Sequence, residues 1–192
     1  MATILYIHGF LSSPQSYKAR ITQAWLAEQR PDINFVCPVL SSYPDEARVT
    51  LETELQSLPA DDTFLIGSSM GGFWATWLLE QQLAAKAVLV NPAVAPQYLI
   101  ADRIGVPLHS YYTDDTYQLE PRHQQQLAAC DPQVLRFPER YWVMLQTGDE
   151  TLDYRQAQNK YAGCLQTVED GGDHSFAGFE NYLPKIMEFF SS

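Results

Sequence analysis

Short apolar runs alternate with amphipathic segments along most of the chain, and this pattern predicts the fold. Six apolar runs predict strands at residues 3–8, 33–40, 62–67, 86–91, 141–147 and 164–169. Apolar residues at helical spacing predict helices at residues 16–29, 45–57, 70–82, 153–161 and 179–190. Alternation of this kind is typical of parallel β-α-β units. We therefore expect an α/β fold with a mostly parallel sheet of about six strands and helices on both faces. Pro38 suggests that the second strand lies at a sheet edge.

Residues 92–140 interrupt this alternation. They contain two tyrosine-rich stretches, several prolines and little periodicity, and a plain connection in a compact domain is rarely so long. We expect a small lid-like excursion over the sheet, inserted between the fourth and fifth strands. The rest of the chain shows no shift in composition, so residues 1–192 are predicted to form a single domain.

The composition of the chain argues against several kinds of binding partner. The formal net charge is −11, with 23 acidic and 12 basic residues, so the protein would repel nucleic acid and anionic membrane surfaces. No apolar stretch reaches the roughly 20 residues that span a bilayer, and the first ten residues lack the charged start of a secretory signal. The three cysteines have the spacing of neither a disulfide framework nor a zinc site. We expect a cytoplasmic protein that binds a small molecule.

A candidate nucleophile lies where the third strand meets the next helix. Gly67-Ser68-Ser69-Met70-Gly71 matches G-x-S-x-G, a motif that places a serine at the apex of a tight strand-to-helix turn. Its centre is Ser69. The alternatives are a glycine-rich turn that merely lets the helix pack closely, and a phosphate-binding loop, which the absence of a following lysine disfavours.

The base and the acid are predicted from chain order, because α/β hydrolases place serine, acid and histidine in that sequence. His174 lies in the loop after the last predicted strand, and Asp149 lies directly after the strand before it. Asp153 is better explained as the N-cap of the next helix, and Glu150 as a solvated neighbour. Asp173 adjoins His174 in sequence and is a poor candidate to orient it. A solvated loop histidine is the alternative for His174.

Two backbone N–H groups are expected to form an oxyanion hole. One belongs to Met70, the residue after the candidate nucleophile. The other belongs to Phe10, since Gly9 permits a sharp turn after the first strand. His8 is interpreted as a structural residue in that turn.

Aromatic residues suggest where an acyl group could bind. The candidates are Trp74 or Phe10 near the nucleophile, and the tyrosines of the excursion, Tyr98, Tyr111, Tyr112 and Tyr117. Aromatic residues beside a lid more often serve packing, and that alternative stays open. The predicted chemistry requires neither a metal nor an organic cofactor.

Six segments together form a more specific pattern than any single motif. They are His8-Gly9-Phe10, Gly67–Gly72, Asn91–Val94, Gln146–Glu150, Leu152–Ala157 and Gly171–His174. This set resembles the bacterial YqiA esterase family over practically the whole chain. The resemblance implies an α/β hydrolase that acts on acyl esters, including acyl-CoA thioesters, with Ser69 as nucleophile, Asp149 as acid and His174 as base. One departure is Ala95, where the resemblance leads us to expect a basic residue. If that positive charge helps the family bind an anionic CoA ester, its loss here argues against thioesterase activity.

Two other functions remain open on the same scaffold. The triad could support carbon–carbon cleavage or elimination, in which case simple nitrophenyl esters would not be turned over. The fold could also be reused as a binding module, although such proteins usually lose one of the three catalytic residue types. The sequence favours a serine esterase that works through an acyl-enzyme.

Overall fold

The computed structural model describes all of residues 1–192. Its strands are β1 (Thr3–Ile7), β2 (Asn34–Val36), β3 (Thr63–Ser68), β4 (Lys86–Val90), β5 (Pro107–His109), β6 (Thr116–Gln118), β7 (Tyr141–Gln146) and β8 (Leu165–Glu169). Its helices are α1 (Tyr17–Gln29), α2 (Pro44–Leu55), α3 (Met70–Glu80), α4 (Pro96–Leu99), α5 (Pro121–Ala129), α6 (Tyr154–Lys160) and α7 (Leu183–Ser191).

Six strands form one parallel sheet in the order β2-β1-β3-β4-β7-β8. Side chains alternate between its two faces. In β1, Leu5 and Ile7 join a core of 28 buried residues shared with α2 and α3, whereas Ile4 and Tyr6 join a core of 15 shared with α1 and α7. Because both faces are covered, the strands are apolar almost throughout. The predicted fold class is confirmed.

The strand order creates a crevice at one position. β1 pairs with β2 on one side and with β3 on the other, so the chain changes direction across the sheet between β1 and β3. In open α/β sheets, ligands bind outside the carboxyl ends of the strands at such a switch point. The segments after Ile7 and Ser68 therefore border the expected site.

Two predicted elements differ from those observed. The predicted strand at 33–40 pairs only over Asn34–Val36, and it lies at the sheet edge as Pro38 suggested. The predicted helix at 179–190 begins as a 3-10 turn at Phe179–Tyr182 and becomes α-helical only from Leu183. Pro184 lacks the N–H that a continuous helix would need at that point. The other predicted strands and helices begin and end within two residues of those observed.

The excursion at residues 92–140 lies between β4 and β7, as predicted. It contains α4, the β5–β6 hairpin and α5, and it is anchored to the main core by Ile100, Leu108, Leu119 and Leu127. The Tyr111 N–H donates to the Leu11 carbonyl at 2.9 Å, which places the hairpin beside the loop that follows β1. No helix in the structure has both the length and the apolar character needed to cross a membrane.

Candidate active site

Ser69 lies at the turn between β3 and α3 in a strained backbone conformation, with φ 55° and ψ −120°. Non-glycine residues rarely adopt positive φ, and such strain is found where surrounding contacts enforce it. Here the Ser69 N–H donates to the Val90 carbonyl at 3.0 Å, and the Ser69 carbonyl accepts from the N–H groups of Gly72 and Ala93 at 2.9 and 3.0 Å. These bonds hold the turn on the end of the sheet.

The two glycines that flank Ser69 in the motif are required by close backbone contacts. A Cβ atom at Gly67 would overlap the Gly71 carbonyl, and one at Gly71 would overlap the Ile7 carbonyl of β1. The space for α3 to begin directly at the sheet therefore depends on the absence of both side chains. The sequence motif thus has a steric cause in this structure.

The structure brings Ser69, His174 and Asp149 together from three loops. The Oγ atom of Ser69 lies 3.0 Å from Nε2 of His174. The Nδ1 atom of His174 lies 2.9 and 2.8 Å from the two carboxylate oxygens of Asp149. These are hydrogen-bond distances, and the order hydroxyl, imidazole, carboxylate matches a nucleophile, its base and the group that orients the base.

Asp149 is held as a buried carboxylate. Its side chain is 1% exposed, whereas that of His174 is 23% exposed. Burial acts to raise the pKa of Asp149, but hydrogen bonds from His174 and from the backbone N–H groups of Leu152 and Thr151 outweigh it and hold the pKa below its ordinary value. The ionised form can then fix the imidazole with its Nδ1 proton toward the carboxylate.

Two polar side chains that the sequence analysis did not identify hold the histidine loop. Asn91 donates from Nδ2 to the carbonyls of Asp173 and His174 at 3.0 and 3.2 Å, and its Oδ1 accepts the Gln146 N–H at 3.0 Å. The Gln146 side chain accepts from the N–H groups of Asp173 and Ala177 and donates to the Ala177 carbonyl. Both residues are buried, and each is a polar residue at the carboxyl end of an apolar strand. That position in the sequence could have identified them as candidates for the site.

The neighbouring acidic residues differ in part from expectation. Glu150, predicted to be a solvated neighbour, accepts the His174 N–H at 3.0 Å through Oε2 and so helps fix the loop. Asp153 caps α6 as predicted, since it accepts the Arg155 N–H at 3.1 Å. Asp173 contacts Asn91 and Gln146 through its backbone, and its carboxylate accepts no hydrogen bond from the imidazole ring.

The two predicted oxyanion donors lie beside Ser69. Met70 is the first residue of α3, so its N–H has no partner within the helix, and the Phe10 N–H donates to no protein acceptor. A Cβ atom at Gly9 would lie 3.4 Å from Cβ of Ser69, which shows how closely the β1 loop approaches. His8 ties this loop in place, because its Nε2 accepts the Leu40 N–H at 3.1 Å, and burial lowers its pKa.

Two cavities meet at this point. The polar one has a volume of about 370 Å³ and is lined by Ser69, His174, Lys18, Arg103, Tyr111 and Tyr112. The apolar one has a volume of about 20 Å³ and is lined by Phe10, Met70, Trp74, Ile100, Leu119 and Leu127.

The predicted substrate contacts are divided between these cavities and the surface. Tyr111 and Tyr112 line the polar cavity and Trp74 lines the apolar one. Tyr98 is exposed on α4 and lines neither. Tyr117 packs edge-on against Tyr43, with ring centroids 5.2 Å apart, and also lines neither. The structure does not group three His, Cys, Asp or Glu side chains in positions that could hold a metal ion.

The sheet order and the strand–turn–helix that carries Ser69 define the chain as an α/β-hydrolase fold. Solved structures share it: a methylesterase, MES16, from Arabidopsis has a TM-score of 0.71 at 13% identity, covering 100% of this chain and 99% of its own. Est1E from Butyrivibrio proteoclasticus has a TM-score of 0.69 at 14% identity, covering 100% and 89%. Alpha/beta hydrolase domain-containing protein 10 from mouse has a TM-score of 0.70 at 12% identity, covering 97% and 89%.

Within that fold the family is defined by sequence. Residues 3–191 match the family described as "Uncharacterised protein family (UPF0227)", and the chain belongs to it. This is the YqiA family, so the resemblance carried by the six sequence segments is confirmed.

Proposed function

We propose that this protein is a serine esterase that hydrolyses acyl esters or acyl-CoA thioesters through Ser69, His174 and Asp149. The observation that carries the proposal is the unbroken hydrogen-bond chain from the Ser69 hydroxyl through His174 to Asp149, at 3.0 and 2.8 Å. This hydrogen-bond chain lies at the switch point of the sheet, beside the backbone N–H groups of Phe10 and Met70, which have no partner in the protein.

The geometry supports a two-step reaction. His174 takes the hydroxyl proton through Nε2 as Ser69 attacks the acyl carbonyl, and Asp149 stabilises the imidazolium that forms. The N–H groups of Phe10 and Met70 stabilise the oxyanion, each with an effect of roughly 3–4 kcal/mol in comparable enzymes. The imidazolium protonates the leaving group, and water activated by His174 then releases the acid from the acyl-enzyme. The scheme needs no cofactor.

The two cavities suggest how the substrate is oriented. The apolar cavity is lined by Phe10, Trp74 and Leu127, and this lining favours the acyl side of the ester. Its volume of about 20 Å³ admits only the first atoms of an acyl chain, so a longer chain requires these side chains to move. The polar cavity contains His174, which must protonate the leaving group, and therefore suits the leaving group. Ala95, the position that lacks the expected basic residue, lines neither cavity. The lack of a charge at position 95 therefore does not change the lining of either cavity. For this reason we keep acyl-CoA thioesters within the proposal.

A covalent probe tests the nucleophile directly. A fluorophosphonate should label the wild-type protein and the adjacent-serine variant Ser68→Ala, and it should not label Ser69→Ala. In parallel, Ser69→Ala should lower kcat for 4-nitrophenyl butyrate by about 10⁴-fold or more. A panel of 4-nitrophenyl esters and acyl-CoA thioesters of increasing chain length then decides between the two acyl classes.

The alternatives give different results in the same assays. A binding module would not react with the fluorophosphonate. An enzyme of carbon–carbon cleavage or elimination would react with it but would turn over neither esters nor thioesters. Equal labelling of wild type and Ser69→Ala would show that the nucleophile is misassigned.

A further inference from the structure

The polar cavity at Ser69 has an unusual charge for this protein. The chain carries 23 acidic and 12 basic residues, yet no Asp or Glu lines this cavity, whereas Lys18 and Arg103 both do. Neither basic side chain forms an ion pair, although seven others do. In an acidic protein, two unpaired cations at a carboxylate-free cavity favour an anionic ligand.

Lys18 is half-buried at this cavity and has few hydrogen-bond partners. Burial lowers its pKa to about 8, against the opposing effect of Asp173 and Asp149. One of its three N–H donors is used on the Ser175 carbonyl at 2.7 Å, and no other protein acceptor lies within hydrogen-bond distance. An anion bound here would compensate the desolvated charge.

The beginning of α1 adds donors at the same place. Ser16, Tyr17 and Lys18 all line the cavity, and α1 has 13 residues with no side-chain cap. The first backbone N–H groups of a helix have no internal partner and favour negative charge. In addition, the hydroxyl of Ser16 is buried and has no hydrogen-bond partner, so an unused donor accompanies the cations.

Resting on the esterase function proposed above, we infer that Lys18, Arg103 and the start of α1 bind an anionic group on the leaving-group side of the ester. We assign the anion to the leaving-group side because His174, which protonates the leaving group, lines this cavity. Lys18 also donates a hydrogen bond to the carbonyl of Ser175, the residue after His174. The acyl side is the one proposed above, at the apolar cavity that Phe10 and Met70 help to line. Because the whole cavity is about 370 Å³, the anion stands within a few bonds of the leaving oxygen. The substrate class is an acyl ester of a small hydroxy acid or phosphorylated alcohol.

A matched pair of chromogenic esters tests this inference. The first is 4-nitro-3-(butanoyloxy)benzoate, whose leaving phenol carries a carboxylate, and the second is its uncharged methyl ester. Wild type should favour the anionic ester in kcat/KM. Arg103→Gln and Lys18→Gln should each lower the anionic-to-neutral ratio by about 3- to 10-fold, as expected for loss of one charged hydrogen bond. The ratio cancels any general loss of activity caused by a shift of the histidine loop.

The control is Arg20→Gln, which removes an exposed, unpaired cation from the same helix at a position that does not line the cavity. It should leave the ratio at the wild-type value. An equal loss in Arg20→Gln would mean that overall charge, and not this site, selects the anion. A wild-type ratio that neither basic variant lowers would overturn the inference.

A binding measurement keeps the test independent of turnover. In the Ser69→Ala background, which should leave the esters intact, calorimetry should show tighter binding of 4-nitro-3-(butanoyloxy)benzoate than of its uncharged methyl ester, and Arg103→Gln should remove that preference. If neither ester is hydrolysed, the esterase proposal fails while this result still decides the anion site. Glycerol 3-phosphate and 3-hydroxypropionate as competing ligands then distinguish a phosphate from a carboxylate; binding of neither would contradict the site.

Discussion

The two walls of the polar cavity are built in different ways. On the sheet wall, Ser69 and His174 each follow a strand and are hydrogen-bonded to each other, and Asp149 holds His174 from outside the cavity. On the excursion wall, the side chains of Arg103 and Tyr111 are exposed and make no hydrogen bond. The sheet thus fixes the atoms that would make and break bonds through hydrogen bonds to neighbouring residues. The excursion presents exposed side chains to the cavity, where the remainder of the proposed substrate would lie.

The largest expected loss comes from the sheet wall, through Asp149→Asn. The amide oxygen can still accept the N–H groups of Thr151 and Leu152, so the loop should keep its shape. An uncharged amide cannot hold the imidazole tautomer or stabilise the imidazolium, so kcat should fall by about 10⁴-fold with little change in KM. Steady-state kinetics with 4-nitrophenyl butyrate measure this. Asp153→Asn is the control, since asparagine caps a helix equally well, and it should retain wild-type activity.

The same residue predicts a pH effect on stability. Because the pKa of Asp149 is held below its ordinary value in the folded state, its ionisation stabilises the fold above about pH 4, and this contribution is lost as the pH falls through the lowered pKa. Urea unfolding at pH 7 and at pH 3 should therefore show a wild-type advantage over Asp149→Asn that shrinks in acid. An advantage that grows in acid would mean that the carboxyl is protonated in the native protein.

Intermediate losses are expected from Asn91, which supports the sheet wall without touching the serine. Asn91→Ala leaves two carbonyls and the Gln146 N–H without their partner, which should lower the free energy of unfolding by about 1–3 kcal/mol. The released histidine loop should lower kcat by about 10- to 100-fold while KM changes little. Asn159→Ala removes an exposed asparagine with no side-chain bond and is the matched control. Lost stability with unchanged kcat would show that Asn91 is structural only.

The sequence predicted one wall of the cavity better than the other, for physical reasons. Apolar runs report burial on both faces of a strand and predict where the strands lie in the chain, and the G-x-S-x-G motif identifies Ser69 as a candidate from five consecutive residues. The role of Asn91 depends on partners 55 and 82 positions away in sequence, which no local pattern encodes. Tyr98 and Tyr111 read alike in sequence, and only the packing of the β5–β6 hairpin places one of them at the cavity. Lys18 carries no motif, and its significance depends on its place in a cavity that no carboxylate lines and on its lack of an ion pair.

The smallest expected effect comes from the excursion wall, and it tests whether the contrast between the walls is correct. Tyr111 and Tyr98 are 73% and 75% exposed, so removal of either ring should change the free energy of unfolding by less than about 0.5 kcal/mol. Only Tyr111 lines the cavity. Tyr111→Ala should therefore raise KM for an aryl ester by about 2- to 5-fold with kcat little changed, as loss of one exposed aromatic contact implies, and Tyr98→Ala should leave both constants unchanged. If Tyr111→Ala lowered kcat as strongly as Asn91→Ala, the excursion would be positioning the reacting groups as well, and the division of labour between the two walls would not hold.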